Sequence, residues 1–145
     1  MINVKQERQG TRDLSLSLRH RLWGPEFPAV DMDYPLIEYD HCKVTALVEY
    51  KNEHANPENT SGSTYRALAD LGTRAGVPVF VCFYASDFSY WRAIPLNARA
   101  MEYLPDTMIM TEAEWAALLF RTKGRGEMPD DIRSMIENLP GGECR

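Results

Sequence analysis

Apolar and polar positions alternate between two rhythms along this chain, and the changes of rhythm mark its elements. Leu14, Leu16, Leu18, Leu22 and Trp23 follow Asp13, a helix N-cap type, and Gly24-Pro25 ends the pattern. This predicts a helix over residues 13 to 23. Two β-type runs come next, Tyr34 to Tyr39 and Val44 to Lys51, separated by the polar Asp40-His41-Cys42-Lys43. Such spacing predicts a hairpin. Asn52 to Gly62 reads as loop, and Ser61 or Ser63 is placed to cap a helix over Thr64 to Arg74, with Tyr65, Leu68, Ala69 and Gly72 on one side.

Val77 to Tyr84 is continuously apolar and short, as expected of a strand buried on both faces. A strand, a helix and a second strand in succession imply a crossover within a mixed sheet. Tyr90 to Pro95 is expected as an edge strand after the turn Ala85-Ser86-Asp87. Thr111 and Glu114 have the capping-box spacing ahead of Trp115, Leu118 and Leu119, and a last helix is expected over Pro129 to Asn138. The expected class is α/β: a mixed sheet flanked by helices, with its core over about 13–95 and a helical C-terminal extension over about 97–145.

Composition narrows the function classes. The 145 residues suit one domain, 1–145, with one sizeable core. Lys plus Arg number 16 against 21 Asp plus Glu, a net charge of −5, which argues against coating DNA or an anionic membrane by bulk charge. No window approaches the ~20 apolar residues of a membrane span, and the N-terminus MINVKQERQGTRD has no signal-peptide core. Cys42, Cys82 and Cys144 form no C-x-x-C pair, so neither a disulfide framework nor a zinc knuckle is expected. A reducing cytoplasm is the expected location.

The chemistry concentrates in Asp31 to Lys51, DMDYPLIEYDHCKVTALVEYK. Residues two apart on a strand share a face, so Glu49 and Lys51 point the same way at the end of an apolar run, with Asp31 and Asp33 sharing a face nearby. Acidic oxygens in such a group suit a hard divalent cation. A lysine beside them can stabilise charge developing on a phosphorus centre. The acids Glu26, Asp31, Asp33, Glu38 and Asp40 are uninterrupted by Lys or Arg. A bound cation would offset part of that charge where a phosphate must approach.

The grouping of an Asp at a strand start, a short hairpin, Glu49-Tyr50-Lys51, then a helix and an apolar strand resembles the PD-(D/E)XK nuclease superfamily over residues 13 to 84. The Trp91 and Pro95-Leu96-Asn97 region is more faintly similar to small phage or prophage members. The resemblance implies a restriction-endonuclease-like fold and Mg²⁺-dependent (or Mn²⁺-dependent) hydrolysis of DNA phosphodiesters, with branched or junction DNA among the substrates. It implies Asp33 and Glu49 as metal ligands with the Tyr50 carbonyl, and Lys51 as the catalytic lysine. Asp31 is the rival to Asp33.

Register constrains this reading. A two-residue turn at His41-Cys42 would set Asp33 opposite Tyr50, facing away from Glu49. A three-residue turn centred on His41 would set Asp33 opposite Glu49. The nuclease reading therefore needs an odd loop or a bulge, and Pro35, which cannot donate to the ladder, is the natural place for it.

Other residues carry weaker expectations. Tyr65 and Arg66 open the second helix, where they could reach substrate. Arg12, Arg19 and Arg21, and Arg121, Lys123 and Arg125, are the basic clusters that could meet phosphates. Glu38 and Asp40 read as solvated acids beside the turn, with Asp40 a minor ligand candidate, and His41 as an exposed turn residue. Glu7 is a lesser candidate ligand, and His20 and His54 lack zinc-type spacing. The partner expected is DNA, with no membrane; homodimerisation would use the Trp115 helix or the Tyr90 to Pro95 edge. The alternative is a non-catalytic nucleic-acid-binding or protein-interaction domain on the same fold.

Overall fold

A computed structural model of the chain describes residues 14–23, 34–38, 41–55, 62–124 and 126–139. The chain divides into two units, Met1–Asp31 and Met32–Arg145. In the first, helix α1 spans Leu14–Leu22, as the spacing predicts. Leu18, Leu22 and Trp23 are exposed, and the His20 and Trp23 rings lie 4.7 Å apart between centroids.

The second unit is built on a five-stranded sheet in the order β1-β2-β3-β4-β5. Its strands are β1 (Tyr34–Glu38), β2 (Lys43–Asn52), β3 (Val79–Tyr84), β4 (Trp91–Pro95) and β5 (Met108–Met110). Only β2 and β3 run parallel; the other neighbours are antiparallel. Helix α2 (Ser63–Ala75) makes the expected crossover between them. Gly76 ends α2 at φ 74°, a left-handed conformation that costs glycine least. The cap at the other end is Gly62 rather than Ser63, which is already helical; Ser61 lies outside the described residues.

Each face of the sheet has its own packing. Leu47 and Val79 meet Leu68 of α2, with Val77 and Leu96 beside them. On the opposite face Val48, Phe80, Cys82, Ala93 and Met110 pack with Trp115 and Leu118 of α4 (Glu112–Thr122). Since β3 takes part in both, it is buried on both faces as its apolar run predicts. Thr111 and Glu114 form the complete capping box. Helix α5 (Asp130–Glu137) adds a third cluster, Ala113, Met128 and Ile136, against α4.

Three expectations change. Strand β4 is internal, paired with β3 and with β5, so the Tyr90 to Pro95 segment is no free edge for a dimer. Within the helix offered for a second copy, the Trp115 side chain itself belongs to the core: it is 2% exposed and its Nε1 donates to Tyr50 Oη at 3.0 Å. The chain beyond Asn97 is more than a helical extension, because β5 joins the sheet and Ala100, Leu104, Met110, Trp115 and Leu118 supply core.

Short α3 (Ala98–Met101) explains the order at the β4 exit. Asn97 caps it, accepting from Ala100 N at 2.9 Å, and also accepts from Val79 N at 3.2 Å. Its amide donates to Val77 O at 2.9 Å and to Thr73 Oγ1 at 3.5 Å. One buried side chain thus ties α2, β3 and α3 together. Asn97, like Pro95 and Leu96, works here as framework.

Candidate functional site

The first hairpin decides which side chains share a face. Near the turn, Glu38 faces Lys43 and Ile37 faces Val44; beyond it Leu36 faces Ala46, so Thr45 has no opposite partner. That unpaired residue is a bulge. From Leu36 to Tyr34 the pairs run Leu36 with Ala46, Pro35 with Leu47 and Tyr34 with Val48. Over these three pairs the register has the offset expected of a three-residue turn. It comes from a bulge at Thr45 rather than at Pro35 or from an odd loop. Thr45 Oγ1 donates to Leu36 O at 3.3 Å, a bond at the shift itself.

Glu38 corrects its expectation of a solvated acid. It is 7% exposed and accepts from His41 N at 3.0 Å, with His41 Nδ1 at 2.7 Å. The carboxylate closes the turn on itself, and Cys42 beside it has a positive φ of 54°.

In β2, strand alternation sends Glu49 and Lys51 to the face that carries Leu47. It sends Tyr50 to the other, where its ring meets Tyr84, Trp91 and Trp115 edge-on with centroids 6.1–6.4 Å away. The Trp115 hydrogen bond to Tyr50 adds a directional anchor. The backbone between Glu49 and Lys51 is thereby held from behind.

Glu49 is a buried carboxylate, 9% exposed, at the end of an apolar strand. Lys51 Nζ stands 3.5 Å from Glu49 Oε1, with its own side chain 38% exposed. Burying a carboxylate is costly unless a cation or donors face it. A solvated Glu-Lys strand end would not incur that cost, so the arrangement differs from an ordinary surface pair. Parallel pairing places Val81 beside Glu49 and Phe83 beside Lys51. Val81 is fully buried and Phe83 5% exposed, so the floor around the pair is apolar.

The remaining candidates separate by position. Tyr65 and Arg66 lie in the first turn of α2, at the end of the sheet where β2 finishes, and on the face that α2 covers. Neither is bonded to Glu49 or Lys51 among the described residues. Arg121 and Lys123 sit at the end of α4, across the sheet from the Glu49 face, with Lys123 Nζ 5.9 Å from the Phe120 ring. Arg19 is exposed on α1 of the first unit, which also carries Arg21. Asp33, Asp31, Asp40, Glu7, Arg12 and Arg125 lie outside the described residues. So does Cys144, whereas Cys82 is a fully buried thiol pushed up to about 12 by desolvation. His54 is exposed beside Glu53, at 3.4 Å.

Among the described residues no three His, Cys, Asp or Glu side chains form a metal-binding group, and no helix is long and apolar enough to cross a membrane. The oxygens that suit a hard cation are those of the Glu49 carboxylate and the Tyr50 carbonyl.

Sequence reasoning passed over Arg92. It is opposite Phe83, so it shares the Glu49 and Lys51 face two strands away. Its alternation with Ile94 was visible, but only the strand order places it beside the pair. No protein-family model, curated protein or solved structure matches the chain.

Proposed function

We propose that the protein is a Mg²⁺-dependent (or Mn²⁺-dependent) nuclease hydrolysing DNA phosphodiester bonds, with the restriction-endonuclease-like architecture of the PD-(D/E)XK superfamily that its sequence resembles. The observation that carries the reading is the Thr45 bulge. By setting Tyr34 opposite Val48, it makes Glu49 the next position on β2. A ladder continued by one residue would bring Asp33 opposite Glu49, on the face that Lys51 shares.

The donor set fits the cation. The Asp33 and Glu49 carboxylates and the Tyr50 carbonyl would hold it, all hard oxygen donors of the kind Mg²⁺ prefers. When bound, the ion supplies charge neutralisation at the phosphate and lowers the pKa of water. The chain's own residues do the rest. Glu49 is oriented by a strand anchored through Tyr50. Lys51 presents an ammonium at the rim, where it can stabilise negative charge growing on the phosphoryl oxygens. The apolar floor of Val81 and Phe83 limits water and strengthens both interactions.

Two measurements test the reading. Calorimetry should detect Mn²⁺ binding to the wild type and its loss in Glu49→Gln. A panel of labelled junction, flap, nicked and duplex DNAs should be cut with Mg²⁺, with rates falling 10²-fold or more (about 3 kcal/mol of barrier) in Lys51→Ala. Folded Glu49→Gln and Lys51→Ala proteins that cut as fast as wild type would refute the site. DNA binding with no cation binding and no cleavage would instead mark a non-catalytic module.

A further inference from the structure

We propose that Arg92 grips a backbone phosphate of the DNA strand adjoining the one Lys51 faces, so that β2 and β4 together track the strand across the sheet. This rests on the nuclease reading and adds to it a residue for substrate binding.

Register supplies the first argument. Lys51 pairs with Phe83 and Phe83 with Arg92, giving a single cross-strand row of cation, aromatic ring and cation on the Glu49 face. With strands about 4.8 Å apart, the two backbone positions lie roughly 10 Å from each other. The Arg92 guanidinium carbon stands 5.2 Å from the Phe83 ring centroid. The side chain therefore leans across β3, toward the strand that carries Lys51, rather than outward past β5.

Pairing supplies the second. The Arg92 Nε is buried and has no hydrogen-bond partner among the described residues. No carboxylate forms an ion pair with Arg92 among them either, and Glu49 on the same face is engaged by Lys51. Stranding a buried charged N–H is costly, and such groups normally have a partner. The ring holds the guanidinium plane but offers no acceptor. What is missing is an anion with several acceptor oxygens, and the planar fork of arginine matches a phosphate bidentately. A phosphodiester backbone supplies such anions in series, which a single small anion would not need two separated cations to bind.

The test uses the full chain in EDTA, so that cleavage cannot intervene. Anisotropy of fluorescein-labelled duplex and four-way-junction DNA is followed over a series of NaCl concentrations. Arg92→Gln and Arg92→Met remove the charge, and the methionine keeps apolar contact with Phe83. Each should weaken binding and flatten the log K against log salt slope by about 0.9, one phosphate contact. Arg92→Lys should keep the wild-type slope, because its charge remains. Thermal melts report folding independently. Unchanged slopes in both charge-removing variants, with or without lower melting temperatures, would reduce Arg92 to a packing role and overturn the proposal. In that case cation binding and Lys51-dependent cleavage would still stand. Wild-type protein that binds neither DNA at any salt concentration would overturn the nuclease reading and this proposal together.

Discussion

Replacing Asn97 by Ala strips four hydrogen bonds from one buried position, and the structure allows the cost to be worked out. The side-chain oxygen serves Ala100 N at 2.9 Å and Val79 N at 3.2 Å, while the amide serves Val77 O at 2.9 Å. The contact to Thr73 Oγ1 at 3.5 Å is at the distance limit and adds little. Loss of the α3 cap costs about 1 kcal/mol. Leaving the Val79 N–H and Val77 C=O unpaired in the interior costs roughly 1–3 kcal/mol each when no water can enter. Because the groups adjoin one another and relax together, about 3 kcal/mol is a reasonable total. For a domain of this size that lowers Tm by roughly 10 °C. Chemical denaturation followed by tryptophan fluorescence would measure it, with an unchanged m-value showing that only stability has moved. Asn97→Asp sharpens the test. It keeps the acceptor but turns a carboxylate oxygen toward Val77 O, a clash that protonation relieves. Its deficit against wild type should shrink as pH falls. An Asn97→Ala deficit below about 1 kcal/mol would refute the idea that this side chain satisfies otherwise stranded backbone groups.

Other consequences follow from the same packing. Gly72→Ala would place a Cβ 2.1 Å from Val79 Cγ2 and 3.1 Å from the Val77 carbonyl oxygen, so either the Val79 side chain or α2 must shift; a loss of about 1–3 kcal/mol is expected in the same denaturation assay. Tyr50→Phe removes the acceptor of Trp115 Nε1 and should cost about 1–3 kcal/mol, with Glu49 and Lys51 left in place to show whether anchoring matters to cleavage. Cys82 has its pKa raised from 9.0 to about 12, so its thiol ionises more readily unfolded. Its contribution is intact below pH 9 and is lost as pH rises from about 9 toward 12, at up to about 1.4 kcal/mol per pH unit. Cys82→Ala should lose less stability than wild type between pH 8 and about 10.5. Native thiol labelling with peptide mapping should mark exposed Cys42 and spare Cys82.

Much of this protein was legible from its sequence because the relevant forces are local. The helical period placed α2, and the apolar and β-type runs placed β1 to β3, within one or two residues. The Thr111 and Glu114 cap could be read directly, since both partners lie within a single turn. So could the shared face of Glu49 and Lys51, which follows from pleating alone. Strand β5 escaped because three residues, Met108–Met110, hold too little pattern to register. Glu38 read as solvated because an acid beside a turn is exposed by default, and its 7% exposure depends on packing that its neighbours in sequence do not reveal.

What only the tertiary structure decided is everything that depends on which strand lies beside which. The bulge, at Thr45 instead of Pro35, decides which β2 residue lies opposite Leu36, Pro35 and Tyr34. The choice reflects competing registers summed over both strands and the turn, which no short window contains. Strand order then made β4 internal and set Arg92 in one row with Phe83 and Lys51. Pleating is a property of each strand by itself; neighbours are a property of the whole chain's burial, and the row of Lys51, Phe83 and Arg92 exists only once that burial is complete.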